Sequence, residues 1–298
     1  MAESAAATTL EVGFGRRRRR IRWRRYLGLS VPALIALVVI VSGALAELLQ
    51  THDPEFIDLA ARLSPPVFDG GTWTHPLGTD ELGRDIYSRL LHGARVSLIV
   101  VGIVVPGAAL FGTLIGLVSG WAGGMTGQVL MRIVDVQLAL PAILFAVLMA
   151  SLVGPSLTNV IVILLIWTWP SYSRLVRADV LSLRERDFVA ASRSVGAGPW
   201  WIIRKHLFPN VLNTIVIIMT LEVALVVLAE AALSFLSVGV PPGTSSWGRM
   251  ISEGRDTMNV AWWPIWLPGL TLLIISLTGN LMGDWLRDAL DPRLRNVR

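Results

Sequence analysis

The sequence has no cysteine, which excludes disulfide bonds and thiolate metal sites. Its only lysine is Lys205, so the Gly-Lys-Ser/Thr of a Walker A phosphate loop is absent. No Gly-x-Ser-x-Gly nucleophile elbow occurs either. The histidines lack zinc spacing and are expected to be solvated or locally hydrogen-bonded: His52, His75, His92 and His206.

Charged side chains are also scarce. They make up 16% of the 298 residues, whereas hydrophobic residues make up 53% and the mean hydropathy is +0.62. Soluble globular domains carry about 25% charged residues. The composition therefore indicates an integral membrane protein.

The formal net charge of +5 comes mainly from arginine. Eight arginines lie between Arg16 and Arg25, directly before the first apolar run. Arginines in that position hold a helix end at the cytoplasmic face, where anionic lipid attracts them. No aromatic-rich binding domain accompanies them, so membrane lipid is the expected partner and nucleic acid is not.

Six apolar runs are long enough to cross a bilayer, which takes about 20 residues. The first has an Arg-rich flank and an Ala44-Leu45-Ala46 sequence, as a secretory signal does. Its apolar run exceeds the usual length of roughly 7–15 residues, which favours an uncleaved anchor. The predicted spans are residues 26–47, 96–120, 128–152, 157–178, 211–236 and 263–285.

Arginine and lysine in the loops predict the orientation of the spans. If the N-terminus is cytoplasmic, the Arg177–Lys205 loop and the 287–298 tail are cytoplasmic too, and both are rich in arginine. The 48–94 and 237–262 loops then lie outside. An even number of spans places both termini in the cytoplasm.

This pattern divides the chain into an N-terminal anchor and a core of five helices. A long outer loop separates the two parts. The predicted parts are an Arg-rich cytoplasmic segment (1–25), the anchor (26–47), the extracytoplasmic loop (48–94), the core (95–286) with its cytoplasmic loop (179–210), and a cytoplasmic tail (287–298).

Two carboxylates fall within the fifth predicted span. At a rise of 1.5 Å per residue, Glu222 lies about 16 Å and Glu230 about 28 Å from the start of the span at Val211. A charge at mid-bilayer is costly, so Glu222 is expected to face the protein interior or a watery cavity. Both residues are candidates for the translocation path. Two roles stay open, a proton relay and a polar group that lines a cavity or bonds between helices.

The loop before that span predicts two short helices that meet at an elbow. Phe188, Ala191, Ser192 and Val195 share one helix face at i, i+3, i+4 and i+7. Gly196 can end this helix in the left-handed conformation, and Pro199 can begin the next one. A helix this short needs a packing partner. The lipid surface and a groove on a cytoplasmic protein are the alternatives, and the small side chains favour the groove.

This loop resembles the cytoplasmic loop of ABC-importer permeases that carries the "EAA" signature, a Glu-Ala-Ala run followed by Gly and later by Pro. Here Ala190-Ala191-Ser192 stands in the Glu-Ala-Ala place, Gly196 is the glycine and Pro209 the proline, while the glutamate is absent. The literal Glu230-Ala231-Ala232 lies in a predicted span and is a different feature. The resemblance implies that these residues contact an ATPase: Arg186, Asp187, Phe188, Ala190, Ala191, Ser192, Arg193, Gly196, Ala197 and Pro209.

Two further stretches are similar to C-type (OppC- and DppC-like) subunits of dipeptide, oligopeptide and nickel importers. The signature before the core of those subunits resembles His75 to Leu98, H-P-L-G-T-D-E-L-G-R-D-I-Y-S-R-L-L-H-G-A-R-V-S-L. Their fifth span and outer loop resemble Glu230 to Gly248, E-A-A-L-S-F-L-S-V-G-V-P-P-G-T-S-S-W-G. The resemblance covers residues 20–298, nearly the whole chain.

The resemblance implies an all-α membrane protein with six transmembrane helices, a type I ABC transmembrane domain in which an N-terminal helix precedes a five-helix core. Such a subunit forms half of a pore with a second permease, as a heterodimer, and is not an enzyme. It binds no cofactor itself, because one or two cytoplasmic ATPase subunits bind and use the ATP. No metal site is expected in it either. An extracytoplasmic solute-binding protein delivers the substrate, and the implied location is the bacterial cytoplasmic (inner) membrane.

The resemblance implies import of di- or oligopeptides. Within the same class, nickel or a peptide-like compound such as glutathione is the alternative, although histidine, a common ligand for nickel, is sparse. Two alternatives belong to other classes, a proton-coupled secondary transporter that uses Glu222 and a membrane scaffold without transport.

Overall fold

The computed structural model describes residues 30–290, which are almost entirely helices and turns; the predicted 1–25 segment and residues 291–298 of the predicted tail lie outside that range. The only β-type pairing within it is an isolated bridge between Thr79 and Asp85. The helices are α1 (Ser30–Ala44), α2 (Ala46–Leu49), α3 (Ile86–Ala122), α4 (Gly124–Ala139), α5 (Ala142–Val153), α6 (Leu157–Arg184), α7 (Asp187–Ser194), α8 (Pro199–Ile202), α9 (Phe208–Phe235), α10 (Trp247–Gly254) and α11 (Trp263–Leu290), with a π-helical turn (Ile203–Leu207) between α8 and α9 and 3-10 turns at Leu59–Ala61, Val67–Asp69 and Arg255–Thr257.

Four helical stretches within residues 30–290 are long and apolar enough to cross a membrane. They are α3, α6, the continuous run from α8 to α9, and α11. α3 begins at Ile86, earlier than predicted, because the Asp85 carboxylate accepts a hydrogen bond from the Ser88 backbone N–H and caps the helix. α1 is a shorter apolar helix over its described residues. The described residues thus contain four spans, or five if α4 and α5 count as one, and the predicted total of six stays a prediction.

The third predicted span, residues 128–152, is not one straight helix. α4 and α5 meet at 86°. The break falls at Leu140 and Pro141, because a residue before proline avoids the helical region and Leu140 is extended, with ψ 132°. Apolar residues continue through this point, so a prediction from hydropathy passes over the break.

α3 and α6 pack together along a stripe of glycines. Gly112, Gly116 and Gly120 recur every fourth residue of α3 and face α6. A Cβ added at Gly116 would lie 2.7 Å from the Val176 Cβ, and one added at Gly120 would lie 2.7 Å from a Val180 methyl group. Small residues at this spacing let membrane helices approach closely. The stripe therefore sets the distance between the two helix backbones.

Buried apolar clusters extend this contact along the whole bundle. One joins α3, α4 and α6 to the α7–α9 region, a second joins α3, α5, α6 and α9, and a third joins α3, α9, α10 and α11. The 37 residues of α3 take part in all three and span about 55 Å at 1.5 Å per residue. That length exceeds a hydrocarbon core of about 30 Å, so α3 is long enough to cross a bilayer and extend beyond it.

Substituting Gly116 with valine tests the glycine stripe. The new side chain would overlap Val176 and the Ser173 carbonyl, so we expect the free energy of unfolding to fall by about 1–3 kcal/mol. Gly102→Val is the matched control on α3, because nothing lies within 4 Å of a Cβ there. Thermal unfolding in detergent measures both variants. Equal stability of the two would contradict close packing at Gly116.

Candidate functional site

The loop between α6 and α9 lies against the C-terminal end of α3. The Arg193 guanidinium sits 4.8 Å from the centroid of the Trp121 ring, a cation–π contact. Arg184 donates a hydrogen bond to the Gly120 carbonyl at 3.3 Å. The loop predicted to contact an ATPase is thus fixed to one end of the longest helix.

Gly196 forms the elbow of this loop, as predicted. Its φ of +82° is left-handed, and its N–H donates to the Arg193 carbonyl at 2.9 Å. The N–H of Ala197 reaches the Ser192 carbonyl at 3.0 Å, which completes a Schellman motif. Pro199 then occupies the first turn of α8, where its missing N–H has no cost. Local sequence rules therefore account for the change of direction between α7 and α8.

Val189 anchors α7 to the bundle. Its side chain is fully buried, and it packs in one cluster with Ile202 and Leu207, which follow the elbow. The predicted face, formed by Phe188, Ala191, Ser192 and Val195, is not the one that enters the core. Phe188 is 40% exposed, and Ser192 is half-buried. Val189 is thus the one fully buried residue of α7, and most of the other residues of this helix are exposed.

His206 links α7 to the π-helical turn, a role that no sequence pattern indicated. Its Nε2 lies 3.1 Å from the Ser192 hydroxyl, and its ring centroid lies 5.5 Å from that of Phe188 and 5.2 Å from that of Trp201. His206 is 14 residues from Ser192, which is too far for a helical periodicity to pair them. Only the elbow brings the two together.

The outward side of the elbow is an exposed surface, which we call the elbow surface. Most of the residues predicted to contact an ATPase lie on it, and Trp200 (72% exposed) and Val195 (84% exposed) enlarge it. Large exposed apolar side chains in one patch are typical of an interaction site. The exposed predicted residues are Arg186, Asp187, Phe188, Ala190, Ala191, Arg193, Gly196 and Pro209, while Ser192 and Ala197 are half-buried.

The two carboxylates proposed for the translocation path differ in their surroundings. Glu230 is completely buried, and its Oε1 accepts a hydrogen bond from the Ser234 hydroxyl at 2.7 Å, one turn along α9. Its other oxygen, Oε2, is buried and has no hydrogen-bond partner within the described residues. Glu222 is half-buried on the same helix. The role of both residues in a path stays a prediction.

The opposite end of α3 carries a cluster of buried ion pairs, which we call the ion cluster. Arg84 and Arg89 both donate to one oxygen of Glu253 on α10, at 2.7 and 2.8 Å. Arg84 also donates to Asp80 at 2.7 Å, and Arg249 donates to the other oxygen of Glu253 at 2.8 Å. These bonds tie the α3 lobe, residues 50–85 before α3, to α10.

Glu55 closes the ion cluster at its edge. It accepts a hydrogen bond from Arg84 at 3.2 Å and from the Ser245 hydroxyl at 2.6 Å. Burial opposes the charged form of Glu253, but the three arginines around it outweigh burial and lower its pKa. Burial likewise opposes the charge of Arg84, yet the surrounding carboxylates raise its pKa. Both groups are therefore held in their charged forms.

A sequence pattern could have grouped some residues of the ion cluster but not all of them. Asp80, Arg84 and Arg89 belong to the His75–Leu98 stretch, and Asp80 and Arg84 have the spacing of an i,i+4 pair. Glu253 lies more than 160 residues away from both arginines, and no local pattern joins them.

Replacing Arg89 with methionine tests the ion cluster. The variant leaves the buried carboxylate of Asp80 and the half-buried carboxylate of Glu253 each without one partner, so we expect a loss of about 3–5 kcal/mol in the free energy of unfolding. Arg95→Met is the matched control on α3, because the Arg95–Glu47 pair is largely exposed and contributes little. Thermal unfolding in detergent should separate the two variants clearly. If R89M were as stable as R95M, the cluster would not hold the lobe.

The fold is similar to that of a chain of a solved ABC transporter. A chain of the MetNI methionine ABC transporter, solved in inward-facing conformations, superposes with a TM-score of 0.57 at 20% identity, covering 69% of this chain and 98% of that one. A second crystal form of the same transporter gives a TM-score of 0.52 at 23% identity, with coverage of 68% and 96%. At these identities the likeness shows the fold alone.

The sequence defines the family more closely. Residues 112–296 match the family described as "Binding-protein-dependent transport system inner membrane component", and the chain belongs to it. It is 42% identical to the di/tripeptide transport system permease protein DppC of Pseudomonas aeruginosa, over 89% of this chain and 88% of that one. It is 38% identical to the dipeptide transport system permease protein DppC of Haemophilus influenzae, with coverage of 90% and 91%. The chain is therefore a multi-pass permease subunit of an ABC transporter.

Proposed function

We propose that this chain is a pore-forming subunit of an ATP-driven importer of di- and oligopeptides. The observation that carries the proposal is the elbow surface. α7 packs into the bundle through the buried Val189, while most of its other residues are exposed. A rigidly mounted but uncovered helix is suited to transmit the movement of a docked partner to α3 and α6.

The partner that fits this surface is an ATPase subunit. The chain lacks a Walker A loop of its own, so the energy must come from another subunit. By the same proposal, one or two ATPases bind the residues predicted for coupling. A second permease completes the pore as a heterodimer, and a solute-binding protein delivers the substrate outside. In this proposal ATP is bound by the partner and not by this chain.

Peptides are the proposed substrate, because the relatives with about 40% identity over most of the chain are named as di/tripeptide and dipeptide permeases. The names of these relatives favour peptide import over the other alternative, a proton-coupled secondary transporter that uses Glu222. Nickel or a glutathione-like compound remains the alternative within the class.

The proposed location is the bacterial cytoplasmic membrane, with both termini in the cytoplasm. Two features support the proposal that the two ends of α3 lie on opposite sides of the membrane. The elbow loop is rich in arginine and lies at one end, and the α3 lobe lies at the other. The proposed boundaries are the anchor at 26–47, the outer loop at 48–94 and the core at 95–286.

Uptake by the complex reconstituted in liposomes tests the proposal. We expect ATP-dependent uptake of a labelled dipeptide that an uncoupler does not affect. Gly196→Val should abolish uptake and substrate-stimulated ATPase activity, because a β-branched residue is strained at φ +82°.

Gly198→Val is the matched control. Gly198 has φ −69°, and nothing lies within 4 Å of an added Cβ, so uptake should continue. Membrane insertion of both variants is checked by fractionation. Uptake that follows the proton gradient and ignores ATP would contradict the proposal, as would full activity of G196V.

A further inference from the structure

His52, His75 and Asp85 meet in the α3 lobe although they are far apart in the sequence. The rings of His52 and His75 lie 4.5 Å apart between centroids and are tilted by 33°. Nδ1 of His75 lies 3.0 Å from Oδ1 of Asp85. One potential ligand atom from each of the three residues lies within 4.8 Å of the other two. The three side chains therefore converge on one point.

One nitrogen in this cluster lacks a partner. Nδ1 of His52 is buried and has no hydrogen bond within the described residues. A buried polar atom without a partner costs about 1–3 kcal/mol, so such atoms are rare unless another group satisfies them. A metal ion beside the other two ligand atoms would give this nitrogen a partner.

The Asp85 carboxylate is oriented so that one of its oxygens is available to bind a metal ion. Its side chain is fully buried, and its second oxygen accepts hydrogen bonds from the Ser88 N–H at 2.9 Å, the Ser88 hydroxyl at 2.7 Å and the Thr51 hydroxyl at 3.0 Å. These bonds leave Oδ1 directed to the histidines. Outer contacts of this kind orient the carboxylate ligands of metal sites.

We propose that His52, His75 and Asp85 bind a divalent transition-metal ion of the zinc type. Two imidazole nitrogens and one carboxylate oxygen form a ligand set that suits such ions, with a fourth position for water. Zinc bonds of about 2.0–2.2 Å space the ligand atoms roughly 3.4 Å apart, so side-chain rotations of about an ångström close the set around an ion.

The ion would have a structural role. His52 follows α2, His75 lies within the lobe and Asp85 caps α3, so one ion would join the N-terminal helices to the start of the core. The site lies in the α3 lobe rather than between the membrane helices, which separates it from any path for a substrate. The inference is independent of what the transporter carries.

Zinc binding to the full-length chain tests the proposal. The protein is purified in detergent with an affinity tag that contains no histidine and is stripped with a chelator. Isothermal titration with Zn²⁺ should give one ion per chain, and His52→Gln and His75→Gln should each weaken binding about 10-fold or more. His92→Gln is the matched control, because His92 bonds to Gln50 outside the cluster, and it should bind as the unchanged protein does. Bound zinc should also raise the apparent unfolding temperature by about 2 °C or more.

A second measurement needs no variant and so does not depend on their folding. Diethyl pyrocarbonate modifies accessible imidazoles, and mass spectrometry locates the product. Zn²⁺ should protect His52 and His75 while leaving His92 and His206 as reactive as before. Absence of one-to-one binding up to about 100 µM Zn²⁺, equal binding by H52Q, H75Q and H92Q, or equal protection of all four histidines would each overturn the proposal.

Discussion

Close contact between α3 and α6 is the constraint on which the remaining structure depends. In a bilayer, apolar side chains gain little by leaving lipid, so helices associate through close packing. The stripe at Gly112, Gly116 and Gly120 permits that approach, and α3 is long enough to cross the membrane. Both functional ends of the molecule are attached to this one helix pair.

The two ends are attached by different physical means. At the N-terminal end of α3, buried arginines and carboxylates tie the α3 lobe to α10, and each charge has partners that offset its loss of hydration. At the other end, one buried valine, a cation–π contact and a Schellman turn hold α7 while leaving its surface open. The ion pairs fix the position of the α3 lobe. The contacts of α7 fix that helix while leaving one of its faces exposed.

Local sequence rules predicted the features that depend on neighbouring residues. The left-handed Gly196, the helix start at Pro199 and the long apolar helices are of this kind, and the resemblance of three stretches identified the family. Features that depend on distant partners were missed. Glu253 reaches Arg89 only in the folded chain, Val189 faces the core instead of the predicted face, and the break at Pro141 lies inside an apolar run whose hydropathy does not change.

The central claim is that the elbow surface is where a partner ATPase engages the chain. The chain has no cysteine, so Ala191→Cys creates a single thiol on that surface, and Ala60→Cys creates one on the exposed part of the α3 lobe. Each thiol carries a photoreactive benzophenone maleimide, and the assembled complex is irradiated and analysed for cross-linked subunits. The account predicts a cross-link to the ATPase from position 191 and none from position 60. An ATPase cross-link from position 60, or none from position 191, would contradict it.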